Sequence, residues 1–210
     1  MRRKFQRVTD YFALLQEPRR PWLDPEKLKE KFLALSAEAH PDRTHGSPDS
    51  EKQATQDHFT ELNAACACLS EPKSRLAHLL ELELGSRATP VQSVPPNLMD
   101  LFMEISAILR GADALQAEKN SVSSPLLRAQ IFGRSQPVLE QLTAMETRIN
   151  DWREKLLAEL KGLDTEWVSS VKKPEERTEV LQRLEAIRHV FSYLARWGSQ
   201  MRERNFQLTL

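Results

Sequence analysis

Apolar residues recur at helical spacing on both sides of the tripeptide His40-Pro41-Asp42. Upstream they stand at i, i+4, i+7 and i+11, and downstream at i, i+3, i+7 and i+10, which are the intervals of one face of an amphipathic helix. The two stripes are Leu28, Phe32, Leu35 and Ala39, and Phe59, Leu62, Cys66 and Leu69. Two such stripes can pack face to face in an antiparallel hairpin, which would leave the tripeptide on the exposed loop between the helices.

The upstream helix carries its own start and stop signals. The side chain of Asp24 can accept hydrogen bonds from the free amides of the first turn, and Pro25 already has the backbone angle that a helix requires. Pro41 disfavours helical geometry at the residue before it, so the helix should end at His40. Beyond the tripeptide, a stretch rich in Gly, Ser, Pro and Asp predicts a loop that runs to about residue 50.

The remaining patterns are helical as well, and no alternation typical of a strand occurs, so the sequence predicts an all-α protein. A further helix should end at Gly85 and close an N-terminal helical domain over residues 9–85. Three prolines within residues 86–96 predict a semi-stiff linker. Three long amphipathic stretches then predict an up-down-up three-helix bundle over residues 97–205.

Two details of the predicted bundle concern its second helix. Residues 125–135 are ambiguous, because Gly133 and Pro137 both weaken the continuity of a helix. Asp164 is expected to cap a short separate segment that ends at Trp167.

The balance of charge and hydropathy narrows the classes of partner. Lys and Arg number 30, as do Asp and Glu, so the chain lacks the basic field of a nucleic-acid-binding protein. No apolar run approaches the roughly 20 residues that span a bilayer, and no signal-peptide core follows the basic start. We expect a soluble cytoplasmic protein with no nucleic acid and no membrane partner. A transit peptide is the weaker alternative for the basic start, since fewer than about ten residues precede the first apolar segment.

Nothing in the sequence indicates catalysis. Cys66 and Cys68 would point about 200° apart on a helix, so they converge poorly on one metal ion or one disulfide. The five histidines form neither a catalytic triad nor a metal-binding spacing, and no glycine-rich phosphate-binding motif occurs. We therefore expect a protein that is not an enzyme, with no catalytic residues, no metal site and no cofactor.

The order of motifs around the tripeptide resembles a J-domain. A short apolar segment at residues 10–15 precedes the helix that ends in His40-Pro41-Asp42, and the second helix continues through Asn63-Ala64-Ala65 into residues 69–77. This order and spacing is similar to the J-domain of the HscB family of iron-sulfur cluster assembly co-chaperones.

The resemblance implies that the N-terminal domain stimulates ATP hydrolysis by a DnaK/HscA-type chaperone. In the family, the His-Pro-Asp motif and basic residues of the helix before it meet an acidic surface of that ATPase. The residues that would do so here are His40, Pro41, Asp42, Arg43, Lys27, Lys29 and Lys31. Residues 36–39 make the helix end less basic than in many J-domains, which favours a dedicated partner chaperone.

The bundle looks like the C-terminal domain of HscB proteins, because it begins with Leu98-Met99 after a Pro-rich linker and carries a similar segment at residues 153–168. In the family this domain binds the IscU-like scaffold protein on which an iron-sulfur cluster is built. The residues that would bind the scaffold here are Leu98, Met99, Phe102, Met103, Val190 and Phe191. The alternative is that these residues are ordinary bundle core.

Three hypotheses for function follow. The leading one is a co-chaperone that delivers an IscU-like scaffold to a dedicated DnaK/HscA-type ATPase, triggers ATP hydrolysis, and so promotes cluster maturation and transfer. The second keeps the J-domain but assigns the bundle to a different client. The third is a helical scaffold protein in which the His-Pro-Asp tripeptide is accidental.

Overall fold

The computed structural model describes residues 9–40, 46, 48–86 and 93–209. In this part of the chain all regular secondary structure is helical, so the all-α prediction is confirmed. The helices are α1 (Tyr11–Leu14), α2 (Pro25–Glu38), α3 (Asp49–Ser70), α4 (Pro72–Leu84), α5 (Met99–Ser121), α6 (Pro125–Ser169) and α7 (Pro174–Thr209), with short 3-10 turns at Pro96–Leu98 and Ser170–Lys172. None of these described helices is long and apolar enough to cross a membrane.

The chain forms two compact units. The first combines Met1–Thr89 with Glu159–Arg188, and the second combines Pro90–Ala158 with His189–Leu210. Helices α6 and α7 therefore contribute residues to both units. The predicted division into residues 9–85, 86–96 and 97–205 stays a prediction, because compactness alone does not test which segment folds by itself.

Helix α2 begins where its local signals predict and ends two residues before the predicted His40. The carboxylate of Asp24 accepts hydrogen bonds from the amides of Glu26 and Lys27 at 3.0 and 3.3 Å, with proline at the first helical position. The helix ends at Glu38, and Ala39 is its C-cap. His40 consequently stands two residues beyond the last residue of the helix.

The apolar face of α3 differs slightly from the predicted stripe. Leu62, Ala65 and Leu69 are buried, whereas Cys66 is only half-buried and its sulfur lies 3.8 Å from the hydroxyl of Ser70. The small core residue of this turn is thus alanine rather than cysteine. Phe59 continues the buried stripe by one turn toward the start of the helix and is half-buried.

A buried arginine joins three segments of the first unit. The side chain of Arg75 on α4 is 4% exposed, and its guanidinium donates to the carbonyl of Pro21 at 3.0 Å and to that of Leu69 at 2.6 Å. Burial lowers the pKa of Arg75 to about 10, although the nearby acidic groups of Glu71, Cys68 and Asp164 oppose this shift. The charge of Arg75 is therefore held by hydrogen bonds to two backbone carbonyls.

His78 connects α4 to α1. Its Nε2 accepts a hydrogen bond from the amide of Tyr11 at 3.1 Å, and its ring stacks on Phe12 with centroids 5.7 Å apart. Burial lowers the pKa of His78, against the opposing charges of Asp10 and Glu81. An Nε2 that accepts this bond belongs to the neutral ring, so the contact and the lowered pKa agree.

The end of α6 packs against the connection between α1 and α2 within the first unit. The indole of Trp167 donates to the carbonyl of Arg19 at 2.8 Å, and the ammonium of Lys161 lies 4.9 Å from the ring centroid of Trp22. Arg20 donates two hydrogen bonds to the carboxylate of Asp164, one of them 3.0 Å long. The expectation that Asp164 caps a short separate segment is wrong, because the residue lies inside α6 and its carboxylate is used by Arg20.

Helix α6 is continuous through the ambiguous stretch at residues 125–135. It runs for 45 residues and contains Pro137 in its interior. Ile131, Ser135 and Leu142 are buried at 4%, 1% and 0% exposure. Tertiary burial of this face offsets the hydrogen bond that proline removes, as it commonly overrides local helix propensity.

The three helical segments of the second unit have the predicted up-down-up order. Helices α5 and α6 are antiparallel, because Glu104 pairs with Arg148 while Glu118, further along α5, pairs with the earlier Arg134. Helices α5 and α7 are parallel, because their paired positions advance together along the two helices. These pairs are Phe102 with Trp197, and Asp113 with Arg204.

Candidate functional site

His40 is exposed at the end of the α2–α3 hairpin. Beyond Glu38 the chain makes one more helical hydrogen bond, from the amide of Ala39 to the carbonyl of Leu35 at 3.0 Å. The imidazole of His40 meets the ring of Phe59 edge-on, with centroids 5.6 Å apart and planes at 75°. Helix α3, which carries Phe59, is anchored in the core by Leu62.

The other predicted residues of this motif lie outside the described part of the chain. These are Pro41, Asp42 and Arg43. Their predicted contact with an ATPase chaperone stays a prediction.

The three candidate lysines of α2 differ in whether they already form an ion pair. Lys27 and Lys29 are exposed, and within the described residues neither forms an ion pair. The ammonium of Lys31 lies 2.7 Å from the carboxylate of Glu17 and donates to the carbonyl of Gln16 at 2.9 Å. Two cations are therefore available to a partner on this helix, while the third already has two acceptors.

The predicted scaffold-binding residues divide by exposure. Leu98, Val190 and Phe191 are buried at 0%, 6% and 3% exposure, which makes them part of the core of the second unit. Met99 and Met103 are exposed at 45% and 59% and stand one turn apart on α5. The scaffold-binding role of all these residues stays a prediction.

Phe102 lies between the two methionines in sequence and is half-buried. Its ring stacks on Trp197, with centroids 6.1 Å apart and planes at 28°. The apolar patch at the start of α5 therefore consists of two exposed methionines, Met99 and Met103, and the half-buried Phe102. Methionine is flexible and polarizable, so such a patch adapts to an apolar partner surface.

The connection between α1 and α2 carries contacts that the sequence patterns did not indicate. Arg19 donates two hydrogen bonds to the carboxylate of Asp10, at 2.9 and 2.8 Å, and that carboxylate also caps α1 through the amides of Phe12 and Ala13. Burial alone would raise the pKa of Asp10, but these hydrogen bonds and the charge of Arg19 hold it below its ordinary value. The cluster of arginine, proline and tryptophan at residues 18–22 is the signal that could have indicated a structured connection.

Metal binding has no structural support in the described ranges. Across residues 9–40, 48–86 and 93–209, no three His, Cys, Asp or Glu side chains lie close enough together to hold an ion. Cys68 is half-buried and donates to the carbonyl of Ser74 at 3.6 Å, and burial raises the pKa of its thiol against the opposing charge of Arg75. A raised pKa favours the thiol over the thiolate that metals and electrophiles require.

Comparison with curated proteins finds relatives of part of the chain. It is 40% identical over 73 residues to the co-chaperone protein HscB homolog of Azoarcus sp. (strain BH72), and 32% identical over 74 residues to the co-chaperone protein HscB of Proteus mirabilis (strain HI4320). Each match includes 35% of this chain, with 41% of the Azoarcus protein and 43% of the Proteus protein. The chain thus spans less than half the length of the curated relatives it matches. No protein-family model matches it.

Similarity of fold extends over most of the chain. The crystal structure of human co-chaperone protein HscB superposes with a TM-score of 0.63 at 18% identity, covering 94% of this chain and 83% of the human chain. The chaperone HscB from Vibrio cholerae superposes with a TM-score of 0.52 at 20% identity, covering 91% and 99% of the two chains. At these identities the solved structures establish the fold alone. The similarity in sequence to proteins named HscB thus covers about a third of the chain, and the similarity in fold covers nearly all of it.

Proposed function

We propose that this chain is a J-domain co-chaperone that stimulates the ATPase of a dedicated DnaK/HscA-type chaperone and delivers an IscU-like iron-sulfur cluster scaffold to it. The observation that carries the proposal is the exposed His40, which follows an amphipathic helix and opens a His-Pro-Asp motif at the end of a helical hairpin. The relatives named HscB co-chaperone support the same reading. The chain itself need make or break no bond, because ATP is bound and hydrolysed by the partner.

Contact with the ATPase would combine the imidazole of His40 with exposed lysines of α2. Lys27 and Lys29 are exposed on α2 and supply two positive charges, whose side chains leave the helix about 200° apart because they stand at i and i+2. A surface of this sign attracts an acidic patch and raises the rate of encounter, and salt screens the attraction. With Lys31 already paired to Glu17, α2 offers a partner few unpaired lysines on any one side, which suits one dedicated chaperone better than many.

Scaffold binding would use the exposed methionines of α5. Met99 and Met103 form an adaptable apolar patch with the half-buried Phe102, and Leu98 lies buried beneath the start of the helix. The patch is too small for a permanent interface, so we expect a transient complex. Such a complex fits a co-chaperone that must release the scaffold to the ATPase.

The test is the steady-state ATPase rate of the organism's DnaK-type chaperones, with and without this protein and the purified scaffold. The informative variant is His40→Gln, and its matched control is His58→Gln, which alters another exposed histidine of the same hairpin. We expect the natural chain and the control to stimulate hydrolysis, more so with scaffold, and His40→Gln to abolish stimulation.

The other outcomes separate the alternative functions. Stimulation that is indifferent to the scaffold would leave a J-domain protein with a different client. Absence of stimulation with every DnaK-type chaperone of the organism would contradict the proposal and favour a non-catalytic helical scaffold protein.

A further inference from the structure

Phe59 contacts His40, and its position suggests a role other than packing in the helical core. Phe59 is the first large apolar residue of α3, and residues 49–58 before it are exposed apart from the half-buried Thr55. The tightly buried stripe of the helix begins one turn later, at Leu62. Phe59 thus stands at the margin of the core, where its ring reaches the imidazole of His40.

The geometry of this contact is that of a specific aromatic pair. The centroids are 5.6 Å apart and the planes meet at 75°, so the edge of one ring approaches the face of the other. Aromatic side chains prefer such edge-to-face arrangements because their rings carry a negative face and a positive edge. The contact therefore selects one orientation of the imidazole rather than only covering apolar surface.

The two partners of this contact differ in their position on the helices and in their exposure. The carbonyl of Phe59 accepts a hydrogen bond from the side chain of Asn63 at 2.8 Å, and the same stretch of α3 is anchored by Leu62. His40 is exposed and lies beyond the last residue of α2. An exposed side chain that must be immobilised on binding costs affinity, and a contact that orients it beforehand removes part of that cost.

We propose that Phe59 is a positioning residue, which orients the imidazole of His40 for its contact with the ATPase chaperone. This inference rests on the proposed function, because it assigns Phe59 a role in the same interaction. Phe59 acts through His40 and need not touch the partner.

The test compares Phe59→Leu, which keeps an apolar side chain but removes the ring, with Phe59→Tyr, which restores it. Phe206→Leu removes an exposed aromatic ring from α7 and is the matched control. ATPase stimulation is measured as a function of co-chaperone concentration. We expect Phe59→Leu to raise the concentration for half-maximal stimulation about three- to tenfold, with the maximal rate retained, and Phe59→Tyr and Phe206→Leu to behave as the natural chain.

Nuclear magnetic resonance of the histidine ring protons separates positioning from a merely structural role. In Phe59→Leu the ring-proton shifts of His40 should lose the displacement caused by the neighbouring ring. The shifts of His78, which stacks on Phe12, should stay unchanged and show that the first unit is intact.

Each remaining outcome decides one question. If Phe59→Leu stimulates as well as the natural chain, or weakens stimulation without moving the His40 shifts, the positioning role is wrong. If the natural chain itself stimulates no DnaK-type ATPase, the proposed function fails, and this inference fails with it.

Discussion

Substituting Arg20 should lower the free energy of unfolding by more than substituting its ion-pair partner Asp164. The side chain of Asp164 is only 8% exposed, whereas that of Arg20 is 39% exposed. Arg20→Ala therefore strands a carboxylate that water hardly reaches, and although the nearby charge of Arg75 offsets part of the cost, we expect a loss of about 3 kcal/mol in the free energy of unfolding. Asp164→Asn leaves a guanidinium that can turn toward water and an amide that can still accept one hydrogen bond, so we expect a loss of about 1 kcal/mol.

The double variant Arg20→Ala/Asp164→Asn tests the same reasoning more sharply. It removes the stranded charge together with its partner, so it should be more stable than Arg20→Ala alone by about 1 to 2 kcal/mol. The matched control is Arg183→Ala. Arg183 lies on α7 and pairs with Glu166, which is on α6 like Asp164, and the two side chains are 48% and 51% exposed. Breaking this exposed pair should lower the free energy of unfolding by about 0.5 kcal/mol or less.

Urea and thermal unfolding, followed by far-ultraviolet circular dichroism, measure these differences. For a chain of this size about 1 kcal/mol corresponds to roughly 2 to 4 °C in Tm, so Arg20→Ala should lower Tm by about 6 to 12 °C. The reasoning is refuted if Asp164→Asn costs as much as Arg20→Ala. It is equally refuted if the double variant is less stable than Arg20→Ala.

Three further predictions concern other contacts. The pKa of His78 is lowered below its ordinary 6.5, so the unfolded chain binds the proton first as pH falls. The stability that this histidine contributes is therefore present above pH 6.5 and is lost as pH falls below that value. In urea unfolding, the free energy of unfolding of His78→Gln should fall less steeply with decreasing pH than that of the natural chain. In Arg75→Lys the single ammonium cannot reach both carbonyls that the guanidinium binds, so the free energy of unfolding should fall by about 2 kcal/mol in the same assay. A loss below about 0.5 kcal/mol would show that the two guanidinium hydrogen bonds are not needed. Met103→Asp should raise the Kd for the scaffold, measured by calorimetry, about tenfold. Leu126→Asp, at another exposed apolar position of the second unit, should leave this Kd unchanged. Equal effects of the two substitutions would contradict binding by the methionines.

The sequence predicted the elements whose cause is local. The bounds of α2 follow from the carboxylate of Asp24, the proline after it and the proline after His40, which all act within a few residues. The all-α fold follows from apolar spacing, which reports the face that each helix buries. These signals need no knowledge of what lies opposite in space.

The failures share a different cause. The local pattern predicts that Asp164 caps a segment, but its carboxylate binds Arg20. The two residues are 144 positions apart, so no local pattern can indicate this partner. The pairing of Lys31 with Glu17 depends on how the preceding connection folds back, which the position of Lys31 on its helix does not indicate. The continuity of α6 depends on burial of Ile131 and Ser135, which outweighs an interior proline. Long-range contacts and burial decide such cases, and a single sequence shows neither directly.

The contacts that join the α1–α2 connection to α6 also constrain when the protein can fold during its synthesis. The indole of Trp167 and the carbonyl of Arg19 are separated by 148 residues of chain. At the ribosome, the N-terminal hairpin emerges early and must wait for most of the remaining polypeptide before this part of its surface is covered. The intervening time, several seconds or more at roughly 5 to 20 residues per second, is a period in which Trp22 and its neighbours are open to nascent-chain chaperones.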